Sequence, residues 1–218
     1  MTPLYRDRED AGARLAGALG FLKGRAGVLV LAIPRGGVPV ARVVADSLAS
    51  PLDIVITRKV GAPENPELAI GAVTQEGEPI IDRDMVRLLR VPQKYLDLEV
   101  KAQEGEVRRR MVAYRGERPF PSLRGKVVVI VDDGIATGAT AKAAVASVRA
   151  GGAAEVIVAA PVGSREAVAE LATVADRVVC PSTPEPFYAI GGFYDRFDQV
   201  DDETVRKALS GSPGTRQG

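Results

Sequence analysis

The sequence predicts an α/β fold: a five-stranded, mainly parallel sheet flanked by helices, with a small hood or lid lobe over one end. Three observations predict it. Short continuous apolar runs such as Val28 to Ile33 and Val127 to Val131 recur along the chain, as expected of strands buried on both faces. Segments with apolar residues at helical spacing lie between them. Strict alternation of the two is what a parallel sheet requires, since each return to the sheet needs a crossover helix.

The elements follow in order. Arg6 to Lys23 reads as an amphipathic helix, with Ala11, Leu15, Leu19 and Leu22 on one stripe. Val28 to Ile33 is the first strand, and Val38 to Leu48 the helix behind it. Leu52 to Thr57 is a second buried strand. Arg58 to Glu78 is rich in glycine, proline and charge and reads as a long loop, with a short hairpin from Ala69 to Thr74 and Pro79 to Ile81. Asp82 is placed to cap a short helix ending at Leu89. Pro92 suits the first turn of a longer one, with Leu96, Val100, Val107, Met111 and Tyr114 along one face. Lys126 to Val131, Glu155 to Ala160 and Asp176 to Cys180 complete the sheet. Helices at Gly138 to Ala150 and Ser164 to Thr173 separate them, and Asp202 to Leu209 closes the chain.

Residues 1–209 are expected to form one domain. Its core is about 26–60 and 122–180, with an inserted lid or helical segment at about 61–121. An aromatic hood segment covers about 181–209, and 210–218 reads as a disordered tail.

Composition narrows the chemistry. Lys+Arg number 29 against 28 Asp+Glu, so no global basic field exists, which speaks against a nucleic-acid partner. The single cysteine, Cys180, rules out an internal disulfide. No apolar run is long enough to span a bilayer. A soluble, cytoplasmic protein without a membrane partner is therefore expected. Histidine is absent, which removes every mechanism built on an imidazole base or ligand. A metal here would be a hard, oxygen-bound ion, Mg²⁺ arriving with a phosphate substrate.

The chemistry concentrates in one stretch. The strand Val127 to Val131 runs straight into Asp132 and Asp133, then Gly134, Ile135, Ala136, Thr137, Gly138, Ala139 and Thr140. The two glycines let successive amides turn inward, the threonines add hydroxyls, and the following helix presents its positive end. This describes a seat for a phosphomonoester. It is not a nucleoside-triphosphate loop, because the Gly-Lys-Ser/Thr ending is missing. The two acids would repel a phosphate, yet they suit the hydroxyls of a neighbouring diol. Phosphate on one side and diol on the other is the outline of a ribose 5-phosphate. The pair could also orient a Mg²⁺ shell, indirectly.

This stretch resembles the 5-phosphoribosyl-1-diphosphate (PRPP) motif of type I phosphoribosyltransferases. The resemblance implies that Asp132 and Asp133 address the ribose 2′- and 3′-hydroxyls and that Gly134 to Thr140 hold the 5′-phosphate. Ala136 stands where hypoxanthine–guanine enzymes carry an acid, which argues against that assignment and leaves the acceptor base open. Pro34-Arg35-Gly36-Gly37 follows the first strand, where the family holds diphosphate, often at a cis peptide; the Arg35–Gly36 bond is the expected one. Arg58 and Lys59 are similarly expected near the diphosphate. Asp132, Asp133, Arg35 and Lys59 are thus the expected catalytic set, acting by positioning and charge. Gly61 to Glu67 is a candidate lid. Phe187 and Tyr188 are candidates for stacking on a base, although packing of a small subdomain would also explain the five aromatics between Phe187 and Phe197. Transfer of phosphoribose to a nitrogenous base, with release of diphosphate and in a homodimer, is the activity implied. A non-catalytic PRPP-sensing regulator and an unrelated phosphate-binding protein are the alternatives.

Overall fold

The structure is a computed structural model that describes residues 3–66, 68–75 and 79–211. Its main sheet contains β1 (Val28–Ala32), β2 (Leu52–Ile54), β6 (Val127–Val131), β7 (Glu155–Ala159) and β8 (Arg177–Val179) in the order β2-β1-β6-β7-β8. All neighbouring pairs are parallel. Alternate residues of each central strand serve opposite cores. Val28, Val30, Ala32, Val127 and Val129 face α1 (Arg8–Ala18), α2 (Gly37–Leu48), α4 (Gln93–Arg115) and α7 (Asp202–Ser210). Leu29, Leu31, Val128 and Ile130 face α5 (Ala139–Ala150) and α6 (Arg165–Leu171). That double burial is why these strands read as unbroken apolar runs.

Strand order decides where a ligand can sit. From β1 the chain moves outward to β2, then returns to the other side of β1 as β6. The direction of winding reverses between β1 and β6, so a crevice opens at their carboxyl ends. Register is level there, with Ala32 opposite Val131. The segment after Ile33 and the acids at Asp132 and Asp133 therefore emerge side by side.

The inserted region departs from the sequence reading. The second strand stops at Ile54, and what reads as a long loop from Arg58 begins as β3 (Thr57–Gly61). It pairs antiparallel with β4 (Ala69–Thr74), which pairs with the short β5 (Ile80–Ile81). In β3 only Val60 and Gly61 are buried, so no apolar run advertises it. Its partner strand creates it, with Thr57 opposite Thr74 and Val60 opposite Gly71. The Ile56 amide donates to Gln75 Oε1 at 2.8 Å, anchoring the exit from the main sheet. Glu67 of the candidate lid lies outside the described residues, as does the tail from 212 onward.

Local chemistry sets the helix ends. Asp82 caps α3 (Arg83–Leu88) by accepting from the amides of Asp84 and Met85 at 3.1 and 2.9 Å. The first helix is shorter than predicted; it ends at Ala18 and continues as a 3₁₀ turn, Gly20–Leu22. Two glycines, Gly17 and Gly20, explain the early stop. The N-terminus and the aromatic segment interlock. Leu4 and Tyr5 amides donate to the Phe193 carbonyl at 2.9 and 3.0 Å, and Asp195 donates to Tyr5 at 2.9 Å. Tyr5, Ala11, Val162, Phe193 and Tyr194 form a third small core there. Among the described residues no helix is long and apolar enough to cross a membrane.

One buried ion pair ties β2 to the end of α4. Arg115 binds both carboxylate oxygens of Asp53, at 2.7 and 2.9 Å, and donates to the carbonyls of Arg118 and Pro119. Removing one partner strands the other charge away from water. Asp53→Ala is expected to cost about 3 kcal/mol in urea unfolding, whereas an exposed pair such as Arg14–Asp10 is expected to cost less than about 1 kcal/mol.

Candidate functional site

The crossing from β6 to α5 forms a loop held from below and open above. The Ile135 amide donates to the Val162 carbonyl at 2.9 Å, and the Ser164 amide to the Ile135 carbonyl at 2.8 Å. The Ser164 hydroxyl donates to the Ala136 carbonyl at 2.6 Å. Gly138 adopts φ 73° at the N-cap of α5, where no side chain caps the helix. The amides of Thr137, Gly138, Ala139 and Thr140 consequently have no protein acceptor among the described residues. Thr137 and Thr140 are exposed, and their hydroxyls are likewise unengaged among those residues. The loop lines a pocket of about 140 Å³ together with Asp132 and Ile190. An anion is the natural occupant of such a row of amides at a twelve-residue helix.

The acids at the end of β6 have different surroundings. Asp132 lines the pocket, and its Oδ1 accepts from the Asp133 amide at 2.8 Å. Withdrawal from water, and then the neighbouring Asp133, push the Asp132 carboxyl well above the usual carboxylate range. Asp133 is buried, with Oδ2 taking a 2.8 Å bond from Arg8 Nε. Its backbone carbonyl accepts from the Tyr194 hydroxyl at 2.6 Å. Burial, followed by the nearby Asp133, raises the Tyr194 phenol far above its ordinary value, so it remains a donor.

The loop after β1 lies directly on these acids. A Cβ at Gly36 would stand 2.1 Å from Asp133 Oδ2, and one at Gly37 would stand 2.7 Å from the Val131 carbonyl. The cis peptide is Pro34–Arg35, one bond earlier than the expected Arg35–Gly36. Arg35 reaches Asp202 Oδ1 at 3.3 Å, an oxygen that also accepts from the Tyr114 hydroxyl at 3.0 Å.

The structure brings Gly36 and Gly37 against the acids, while the Arg35 side chain is engaged by Asp202 of α7. Arg58 and Lys59 lie on β3 of the second sheet, which packs against α4 and α5. Arg58 Nε donates to Gln103 of α4 at 3.0 Å. Phe187 turns into the hood, its ring centroid 5.0 Å from that of Phe193, while Tyr188 is 84% exposed. Sequence reasoning missed Arg8, Tyr194 and Ile190. Ile190 packs so closely on Gly134 that a Cβ there would meet its Cγ2 at 2.5 Å. The aromatic density around Tyr194 was a signal; Arg8 had none, because its partner is 125 positions away.

Together the fold and the loop define an α/β protein with a row of open amides at the switch point of its sheet. The chain belongs to the phosphoribosyl transferase domain family, whose model matches residues 5–197, the family its β6–α5 motif resembles. Two Mycobacterium tuberculosis proteins, from strains CDC 1551 and H37Rv and provisionally named phosphoribosyl transferases, are 47% identical over 202 residues. The match covers 93% of this chain and 45% of theirs, so the chain spans about half the length of these curated relatives. The crystal structure of TT1426 from Thermus thermophilus is similar at TM-score 0.85 and 45% identity, covering 94% of this chain and 97% of that one. AQ2163 from Aquifex aeolicus shares the fold at TM-score 0.51 and 11% identity, over 94% and 86% of the two chains.

Two outcomes are expected. Gly36→Ala forces the β1 loop off Asp133 and should destabilise the protein by about 2 kcal/mol in thermal or urea unfolding. Burial pushes the Cys180 thiol up to about 11, so it stays protonated at ordinary pH. Alkylation at pH 8 should run about 100-fold slower than for a free cysteine, followed by mass spectrometry of the intact chain.

Proposed function

We propose that this chain transfers the phosphoribosyl group of PRPP, presented with Mg²⁺, to a nitrogen acceptor and releases diphosphate. The observation that supports it best is the β6–α5 crossing. Four amides and two hydroxyls without a partner among the described residues stand within one loop of an acid pair. The β1 loop beside it, carrying Arg35, is the seat proposed for the diphosphate. In this reading the 5′-phosphate takes the amides of Thr137 to Thr140, and the ribose diol meets the acids. Fixing both ends of the substrate holds C1 in place for attack. The bond from C1 to the diphosphate oxygen breaks as a bond to the acceptor nitrogen forms, and the diphosphate leaves with the electron pair. Positive charge near the leaving group would come from Arg35, with Arg58 and Lys59 as further candidates.

Mg²⁺ fits as part of the substrate complex. Asp132 and Asp133 offer oxygen donors, but among the described residues no cluster of three or more acidic, histidine or cysteine side chains is arranged to hold a metal. Phosphate oxygens and water would supply most of its shell. Tyr188 is the more accessible of the two rings for an acceptor base. The reading carries with it a cytoplasmic location, expected from composition, and a homodimer, which rests on the resemblance, and needs neither nucleic acid nor membrane.

Calorimetry with PRPP and Mg²⁺ is expected to show saturable binding by the wild-type chain. Asp132→Asn and Thr137→Val should each weaken it by about tenfold or more. A panel of bases with continuous diphosphate detection then identifies the acceptor. Binding without diphosphate release for any base would restrict the chain to PRPP sensing, and no binding at all would exclude the reading.

A further inference from the structure

Arg8 reaches the acid pair from outside the two loops. It stands in the first turn of α1, and its Nε donates to Asp133 Oδ2 at 2.8 Å. Both side chains are nearly closed to water, at 12% and 9% exposure. A buried pair of this kind adds little net stability, because desolvation of two ions offsets their attraction. Its geometry is the more informative property. Arg8 is itself fixed at two further points: Nη1 donates to the Asp198 carbonyl at 2.7 Å, and the guanidinium lies 3.8 Å from the centroid of the Phe197 ring. Asp133 is fixed in turn, pressed by the Gly36 backbone and held through its carbonyl by Tyr194.

We propose that Arg8 is a positioning residue: by holding Asp133 beneath the β1 loop, it keeps the two acids apart and fixes the orientation in which the pair meets the substrate. Adjacent carboxylates repel, and without a cation one would turn away or collapse onto the other. With Arg8 in place Asp133 keeps its orientation under Gly36, and Asp132 lines the pocket. The two acids are therefore unequal. Asp133 is fixed by Arg8 against Gly36, and Asp132, beside Gly37, lines the pocket. The N-terminal helix and the aromatic hood become part of the site, since the first supplies Arg8 and the second clamps it.

This inference rests on the PRPP reading, and a double-mutant cycle separates the two. PRPP affinity with Mg²⁺ is measured for wild type, Arg8→Met, Asp133→Asn and the double variant, with thermal melts to verify folding. Arg8→Met is expected to weaken binding about tenfold in the wild-type background and less than about twofold in the Asp133→Asn background. Arg8→Lys, which keeps the charge, should restore most of the affinity. Arg8→Gln replaces Arg8→Met in the cycle if the latter does not fold. Equal losses in both backgrounds, or wild-type affinity in the charge-removing variant, overturn the role of Arg8 and leave the PRPP reading standing. A wild-type chain that binds no PRPP overturns that reading, and this inference with it.

Discussion

Gly36 and Gly37 lie so close to the end of β6 that one methyl group at either position would collide with Asp133 or with the Val131 carbonyl. That contact between a backbone and an acid pair is the constraint on which the site depends. Parallel strands β1 and β6 are neighbours with level register, so the segments that leave them must share one crevice. Side chains there would hold the two segments apart. Glycine lets them touch, and the carboxylates are then covered by a turn of chain rather than by solvent. Gly134 repeats the device on the far side, where Ile190 closes over it.

Covering acids in this way creates an electrostatic demand. A carboxylate removed from water needs a donor, a cation or a proton. The structure answers differently for each. Asp133 receives Arg8, while Asp132 receives a backbone amide and is driven toward its protonated form. The cation comes from the opposite end of the chain, which links the N-terminal helix, the hood and the sheet around one point. The Arg115–Asp53 pair acts in a similar way at β2, joining the long helix of the insertion to the edge of the sheet. Neither pair is a surface ornament, since all four side chains are largely withdrawn from water.

Elements with a local cause were legible in the sequence. The doubly buried strands appeared as apolar runs, and Asp82 announced its helix by capping chemistry. The motif of the β6–α5 crossing was legible for the same reason, because its acids, glycines and threonines are contiguous. Strand β3 was not. Its residues Thr57, Arg58 and Lys59 carry no apolar alternation, and only the pairing with β4 makes them a strand. Arg8 and Tyr194 were hidden for a related reason: each acts on Asp133 across a long stretch of chain, and nothing in its own neighbourhood records the partner.

The amino-acid sequence alone thus determined the sheet, its helices and the open loop after β6, because periodicity, capping and glycine chemistry act within a few residues. Only the tertiary structure decided how the acids divide. Asp132 and Asp133 are chemically identical neighbours, and what distinguishes them is which one meets Gly36 and Arg8. That is settled by burial and charge brought together from distant parts of the chain, where no local pattern can be read.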